Sequence, residues 1–104
     1  MATNRLETLK SLLAAKPGDS FLRYGLAMEY RNTGDLASST REFQGLLAAD
    51  PEYAAAYFHA GQTLERLGRL EEARALYRRG IEVTARQGNA HARTELEGAL
   101  DLLG

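Results

Sequence analysis

Apolar residues recur along the chain at the three- and four-residue spacing of one helix face. Leu6, Leu9, Leu12 and Leu13 form the first of six such stripes. Each stripe is separated from the next by residues that stop a helix, namely Pro17-Gly18, Gly34, Asp50-Pro51, Gly68 and Gln87–Asn89. The pattern predicts an all-α fold of about six antiparallel helices.

Polar residues with short side chains stand where these helices should begin. Asn4 precedes Glu7 by three residues, which is the arrangement of a capping box. Asp19 or Ser20 is placed to cap the second helix, and Asp35 to cap the third. These residues predict helix starts that agree with the apolar stripes.

The chain also repeats itself with an offset of 34 positions. Residues 20–51 fall on residues 54–85 with aromatic, small and glycine positions in step. The matched pairs include Tyr24 with Phe58, Ala27 with Gly61, Gly34 with Gly68, Phe43 with Tyr77, and Leu47 with Ile81. A fixed period of this length predicts a repeat architecture.

We expect a single domain with the following division. Residues 3–17 form a half repeat, because a shift of 34 positions places Leu9 on Phe43 and Pro17 on Pro51. Residues 20–53 and 54–87 form two full repeats. Residues 88–104 form a capping helix, since their correspondence with the earlier helices fails after Ala90.

The apolar stripes also predict which residues form the core. Ala27 and Gly61 should lie where two helices approach closely, since a larger side chain there would force the helices apart. The other predicted core residues after the first helix are Leu22, Leu26, Tyr30, Leu36, Phe43, Leu46, Leu47, Ala56, Ala60, Leu64, Leu70, Ala73, Tyr77, Ile81, Val83, Ala92, Leu96, Ala99, Leu100 and Leu103.

Composition and charge exclude several classes of function. The 13 basic and 14 acidic residues give a net charge of −1, so no basic field for nucleic acid is present. The absence of cysteine removes thiol catalysis and thiolate metal ligands. The first ten residues lack the apolar segment of a signal peptide, and no uncharged apolar run approaches the ~18 residues of a membrane span. We therefore expect a cytoplasmic protein.

Candidate chemistry is sparse. His59 and His91 with Glu95 offer too few ligands for a zinc site, which takes three or four protein ligands. The carboxylate pairs Glu65 with Glu95, and Glu71 with Glu72, fit a solvated helix face better than acid–base catalysis. The glycines are spaced as helix stops rather than as a phosphate-binding loop. We predict no enzyme activity, no cofactor and no metal.

The arginines of the second half alternate with glutamates, which predicts a face laced with ion pairs. The predicted pairs are Glu71 with Arg74, Glu82 with Arg86, and Glu82 with Arg78 and Arg79. Binding of nucleic acid or of a phosphorylated partner is the less favoured alternative for this basic run.

At the matched positions the chain resembles the tetratricopeptide repeat family. These positions are Leu26-Ala27, Tyr30, Gly34, Ser39, Phe43, Pro51, Ala60-Gly61, Leu64, Gly68, Ala73 and Tyr77. Some positions of the pattern hold other residues than is usual: Arg23 and Tyr57 stand where tryptophan is usual, Ser39 where alanine is usual, and Ala85 where proline is usual. The resemblance implies a right-handed superhelix in which the first helix of each repeat lines a concave groove for peptides or partner helices.

Each of these first helices carries a second stripe beside its core stripe. The members of this second stripe are Phe21, Tyr24, Met28 and Arg31, then Ala55, Phe58, Gln62 and Glu65, with Arg66 beside them. We predict an interaction module that binds a peptide or helix on Tyr24, Met28, Phe58 and Gln62, with Phe21, Arg31, Glu65 and Arg66 at the edges. Arg93 is predicted to anchor an acidic group.

Other interpretations of the second stripe remain open. A terminal helix or a second copy of the chain would also cover it, which makes a homodimer or assembly scaffold the alternative function. An accessory domain of an enzyme system is a third. The sequence leaves open the identity of the partner and whether the chain is a whole protein.

One branch of the resembled family binds the C-terminal carboxylate of chaperone tails through a clamp of lysine, asparagine and arginine. The corresponding positions here hold Tyr24, Met28, His59, Asn89 and Arg93, of which only Arg93 agrees. A carboxylate needs charge-assisted donors. We therefore do not expect a chaperone-tail adaptor.

Overall fold

The computed structural model describes residues 3–104, with side chains from Arg5 onward. Within this range the chain forms six α-helices and no strand, which confirms the predicted fold class. The helices are α1 (Thr3–Ala15), α2 (Ser20–Asn32), α3 (Leu36–Ala49), α4 (Ala54–Arg66), α5 (Leu70–Gln87) and α6 (Ala90–Leu103). No helix in the described range is long and apolar enough to cross a membrane.

Each helix packs against the next one along the chain. In addition, α4 contacts both α2 and α6. The helices α2, α4 and α6 therefore lie side by side, and we call them the inner row. This arrangement places the second stripes of α2 and α4 next to each other.

The turns between paired helices are made by glycines in the left-handed conformation. Gly34 has φ +90° and Gly68 has φ +76°. After each glycine, the next backbone N–H bonds back into the preceding helix at 2.9 Å, from Asp35 to the carbonyl of Tyr30 and from Arg69 to that of Leu64. These bonds satisfy carbonyls that a helix end would otherwise leave free. The sequence repeat is thus reproduced in hydrogen bonding.

Two of the predicted caps are present. Asp19 and Asp35 each accept a hydrogen bond from the backbone N–H three residues further on, at 3.0 and 3.1 Å. Ser20 has a different role, because its hydroxyl donates to the carboxylate of Asp50 at 2.8 Å and joins the start of α2 to the end of α3. The predicted cap at Asn4 concerns a side chain outside those described.

The core lies between the inner row and the helices behind it. The rings of Phe43, Tyr57 and Tyr77 are among its largest fully buried side chains. Most of the predicted core residues are buried, and these are Leu26, Ala27, Phe43, Leu46, Leu47, Ala56, Ala60, Gly61, Leu64, Ala73, Tyr77, Val83 and Leu96. Ile81, Ala99, Leu100 and Leu103 pack against this core while partly exposed.

Two predicted core leucines are exposed. Leu12 is 47% exposed, because α1 packs only against α2 and its far side meets no other described helix. Leu70 is 40% exposed, since it is the first residue of α5 and directly follows the turn at Gly68. Helical spacing alone does not show how many neighbours a helix has, which is why both predictions were wrong.

Tyr57 was not among the predicted core residues, yet it is fully buried. Its hydroxyl donates to the carbonyl of Pro51 at 2.7 Å. Its ring packs against Gly80 of α5, where a Cβ atom would lie 2.7 Å from the Cβ of Tyr57. Tyr57 therefore occupies the usual tryptophan position without loss of packing.

We predict that Gly61→Ala destabilises the fold by about 1–3 kcal/mol through overpacking. A Cβ atom on Gly61 would lie 2.2 Å from Cε1 of the buried Tyr77 ring. Urea unfolding followed by circular dichroism measures the change. Gly98→Ala is the matched control, because no atom lies within 4 Å of its Cβ position, and it should keep or raise stability by up to about 1 kcal/mol. Equal stability of both variants would contradict the close α4–α5 approach.

Candidate functional site

The second stripes of α2 and α4 meet at one hydrogen bond. Arg31 of α2 donates from Nη2 to Oε1 of Gln62 on α4 at 3.1 Å. At the start of α2, Phe21 is 71% exposed. The structure therefore brings Arg31 of α2 together with Gln62 of α4, while Phe21 is exposed at the start of α2.

Tyr24 lies in a packed aromatic cluster rather than on an open wall. Its ring centroid is 5.3 Å from that of Tyr53, 6.0 Å from His59 and 6.3 Å from Phe43. Burial raises the pKa of its phenol, and the neighbouring Tyr53 adds to the effect. Met28 and Phe58 are likewise half-buried against the core. Tyr24 and Met28 thus shape the surface mainly from beneath.

A groove opens between α4 and α6, which we call the α4–α6 groove. It has a volume of about 360 Å³. Phe58, Gln62 and Glu65 line it from α4, and Thr94, Glu95, Gly98, Ala99 and Leu102 line it from α6. Leu102 is 92% exposed. The predicted residues Phe58, Gln62 and Glu65 of α4 therefore line this groove together with α6 residues that the sequence analysis did not include.

The α6 residues were missed because this helix is out of step with the repeat: α6 begins 36 positions after α4, whereas α4 begins 34 positions after α2. A strict period of 34 positions would place Leu96 on Gln62 of the groove, whereas the apolar spacing of α6 predicts Leu96 as a core residue. Leu96 is fully buried as its apolar spacing predicts, and Leu100 and Leu103 also pack against the core. The apolar spacing of α6, read without the repeat, was the available signal.

Two of the predicted arginines lie away from the α4–α6 groove. Arg93 pairs with Glu97 at 3.3 Å and lines a separate small cleft beside Gly88 and Asn89. Arg66 is exposed in the last turn of α4 and lines none of these openings. The structure therefore does not bring Arg93 together with Phe58 and Gln62.

Glu65 of the groove is hydrogen-bonded to a residue of the core. The hydroxyl of the buried Tyr77 donates to Oε2 of Glu65. Burial raises the pKa of Tyr77 well above its ordinary value, and the Glu65 carboxylate raises it further. The phenol therefore stays protonated and keeps donating, which holds Glu65 in position on α4.

His59 sits between the aromatic cluster and the inner surface. Its ring centroid is 5.4 Å from that of Phe58, and its Nδ1 has no hydrogen-bond partner in the described structure. Burial lowers its pKa from the ordinary 6.5, the charge of Arg31 lowers it further, and the charge of Glu95 opposes the shift. His91 is exposed. The described residues contain no group of three side chains placed to hold a metal ion.

The predicted ion pairs of the outer face are present in part. Arg74 pairs with Glu71 at 2.9 Å, as predicted. Glu82 has no ion pair within residues 3–104, so the predictions for it were wrong. Arg86 instead pairs with Glu52 at 3.3 Å, because the tertiary fold brings the turn between α3 and α4 close to the end of α5.

A family comparison accounts for this architecture. The sequence profile of the tetratricopeptide repeat family matches residues 24–92, about two thirds of the chain. The chain belongs to the tetratricopeptide repeat family. No curated protein matches the sequence.

Solved structures agree with this tetratricopeptide repeat assignment. A tetratricopeptide repeat domain protein from Salinibacter ruber is 34% identical, with a TM-score of 0.78 over 82% of this chain and 94% of that one. A Bordetella parapertussis protein is 26% identical, with a TM-score of 0.81 over 94% of this chain and 85% of that one. SycD, a type III secretion translocator chaperone of Yersinia enterocolitica, shares the fold at 18% identity, with a TM-score of 0.89 over 98% of this chain and 71% of that one.

A second, smaller cleft of this tetratricopeptide repeat protein lies on the other side of the inner row, between α3 and α5. It has a volume of about 200 Å³ and is lined largely by Phe43, Leu47, Ala60, Leu64 and Leu76, with Gln44 and Arg79 among the polar members. The hydroxyl of Thr40 is buried beside it without a hydrogen-bond partner. This cleft and the α4–α6 groove are therefore lined by different residues of α4, with Ala60 and Leu64 on the cleft and Phe58, Gln62 and Glu65 on the groove.

We predict that the free energy of unfolding falls as the pH drops below about 6.5, in part through His59. Its pKa is lower in the folded state, so the unfolded chain binds more protons in this range. The His59 contribution is complete above the unfolded pKa and is lost as the pH falls through the folded one. Urea unfolding at about pH 7.5 and pH 5.5 measures this loss.

His59→Gln should reduce the difference in stability between the two pH values. His91→Gln is the matched control, because His91 is exposed, and it should leave the difference unchanged. A wild-type difference that survives His59→Gln in full would show that the half-buried position of this imidazole is wrong.

Proposed function

We propose that this tetratricopeptide repeat protein is a non-catalytic interaction module that binds a segment of a partner protein on the inner row. The site consists of the α4–α6 groove together with the neighbouring surface of α2. The second-stripe residues Phe21, Met28, Arg31, Phe58, Gln62 and Glu65 contribute to it, with Tyr24 beneath the surface and Arg66 outside it. The observation that carries the proposal is an open groove of about 360 Å³ whose lining is largely apolar.

Exposed apolar side chains on this surface support the proposal. Phe21 at the start of α2 is 71% exposed and Leu102 at the end of α6 is 92% exposed. Such side chains gain about 1.5–3 kcal/mol when fully buried, so an unoccupied surface of this kind favours a partner.

The relatives support a protein as the partner. SycD, which shares the fold, is a chaperone of type III secretion translocators. We carry over only the class of ligand, a segment of another protein, since likeness at this level of identity shows the fold and no more.

We predict that Leu102→Ser weakens binding of peptides selected on the wild-type protein by about 5- to 30-fold, because a groove anchor is lost. The peptides are drawn from a randomised library displayed on phage, and their affinities are measured by fluorescence anisotropy. Leu70→Ser is the matched control, since Leu70 is exposed on α5 away from the groove, and it should leave affinity unchanged. Circular dichroism confirms folding of both variants. Equal affinity for the wild type and Leu102→Ser would count against the groove.

Self-association is the second candidate function, and the exposed Phe21 favours it. A crystal structure of SycD describes an alternative dimer of that protein. If the surface serves assembly, the sedimentation mass of this chain should rise over about 10–500 μM, and Phe21→Ser should abolish the rise. A monomeric wild type over this range leaves the partner-binding function as the only candidate. Phe21 suits this test better than Tyr24, whose replacement would disturb the aromatic cluster.

A further inference from the structure

We infer that the α4–α6 groove selects a partner segment in which a lysine or arginine stands beside a large apolar side chain. This inference rests on the proposed function and specifies the chemistry of its ligand. It replaces the expectation that Arg93 would anchor an acidic group, because Arg93 lies outside the groove and is paired with Glu97.

The first argument is the placement of charge in the groove. Glu65 lies on the α4 wall and Glu95 on the α6 wall, while the residues between and beside them are apolar or neutral. The lining of this groove contains no lysine, arginine or histidine. A basic side chain therefore meets favourable potential from both walls, and an acidic one meets repulsion from both.

The second argument is that both carboxylates are without a cationic partner. Seven of the ten glutamates in the sequence form ion pairs, and these are Glu7, Glu29, Glu42, Glu52, Glu71, Glu72 and Glu97. Within the described chain, the exceptions are Glu65, Glu82 and Glu95. Two of these three line the same groove. The groove thus keeps its negative charge available while most other glutamates are neutralised.

The hydrogen bond from Tyr77 leaves Glu65 with further acceptor capacity. Tyr77 donates to Oε2 alone, and a carboxylate accepts more than one hydrogen bond. Arg31 of the inner row donates to Gln62 and forms no ion pair with Glu65. Glu65 is therefore held in place and still has acceptor capacity for an ammonium or guanidinium group.

The third argument is the space for an apolar side chain. No atom lies within 4 Å of the position that a Cβ would occupy on Gly98, so the groove is open above this residue. Phe58, Ala99 and Leu102 line the same space. A leucine-sized or aromatic side chain of the partner fits there, next to the two carboxylates.

The test uses the full chain and a phage-displayed library of randomised peptides as the probe. Peptides selected on the wild type should enrich lysine or arginine near a large apolar residue and deplete acidic residues. The double variant Glu65→Gln/Glu95→Gln should bind these peptides about 3- to 30-fold more weakly and lose the basic preference in a fresh selection. Glu82→Gln, which removes an unpaired glutamate of α5, is the matched control and should leave affinity unchanged.

Gly98→Leu tests the groove itself without opening a cavity. The added side chain meets no neighbour at its Cβ and replaces a helical glycine, so the fold should be kept while the groove is filled. We expect binding of the selected peptides to fall by at least about tenfold. Ala75→Leu, on the exposed side of α5, is the control for adding a leucine and should bind as the wild type does.

The outcomes separate the two proposals. Peptides that lose binding on Gly98→Leu but show no basic preference, or an acidic one, overturn this inference and leave the proposed function standing. Peptides that bind Gly98→Leu as tightly as the wild type overturn both. Failure of the wild type to enrich any peptide also rejects both. Salt gives an independent check, because affinity should fall with rising ionic strength only if the carboxylates participate.

Discussion

The contact between Gly61 and the ring of Tyr77 joins α4 to α5 in the second repeat and also connects to the α4–α6 groove. Because Gly61 has no side chain, α5 approaches α4 closely enough for the ring to lie where a Cβ would stand. The buried tyrosine hydroxyl then donates to Glu65 of α4. One side chain thus connects core packing with the orientation of a groove residue.

The first repeat uses the same positions differently. Ala27 and Phe43 stand 34 positions before Gly61 and Tyr77. The first repeat therefore has an alanine in place of the glycine, and a phenylalanine without a hydroxyl in place of the tyrosine. The backbone carbonyl of Ala27 accepts a hydrogen bond from Ser39 at 2.8 Å, which joins α2 to α3 by other means. On the inner side Arg31 takes the position that Glu65 has in the second repeat, and it bonds across to Gln62. The two repeats therefore share a backbone plan while their inner surfaces differ in charge.

Much of the fold was predictable because its determinants are local and recur. The glycine turns, the aspartate caps and the buried face of α3 and α4 follow from residues within one helix turn of each other. The tetratricopeptide repeat family was predictable for the same reason, since two copies of one pattern reinforce each other. Leu12 and Leu70 were misplaced because their exposure depends on whether another helix covers them, which helical periodicity does not encode.

By itself, the sequence determined the number of helices, where they end, and which family the chain belongs to, because steric limits on glycine and proline and the burial of apolar stripes act within short segments. The tertiary structure alone decided the composition of the α4–α6 groove. The α6 helix begins 36 rather than 34 positions after α4, so Leu96, Leu100 and Leu103 pack on the core while Glu95, Gly98 and Leu102 line the groove with Phe58. The apolar spacing of α6 indicates its buried face, but which residues of α4 and α6 line one groove depends on how whole helix faces pack together, which the 34-residue period does not give.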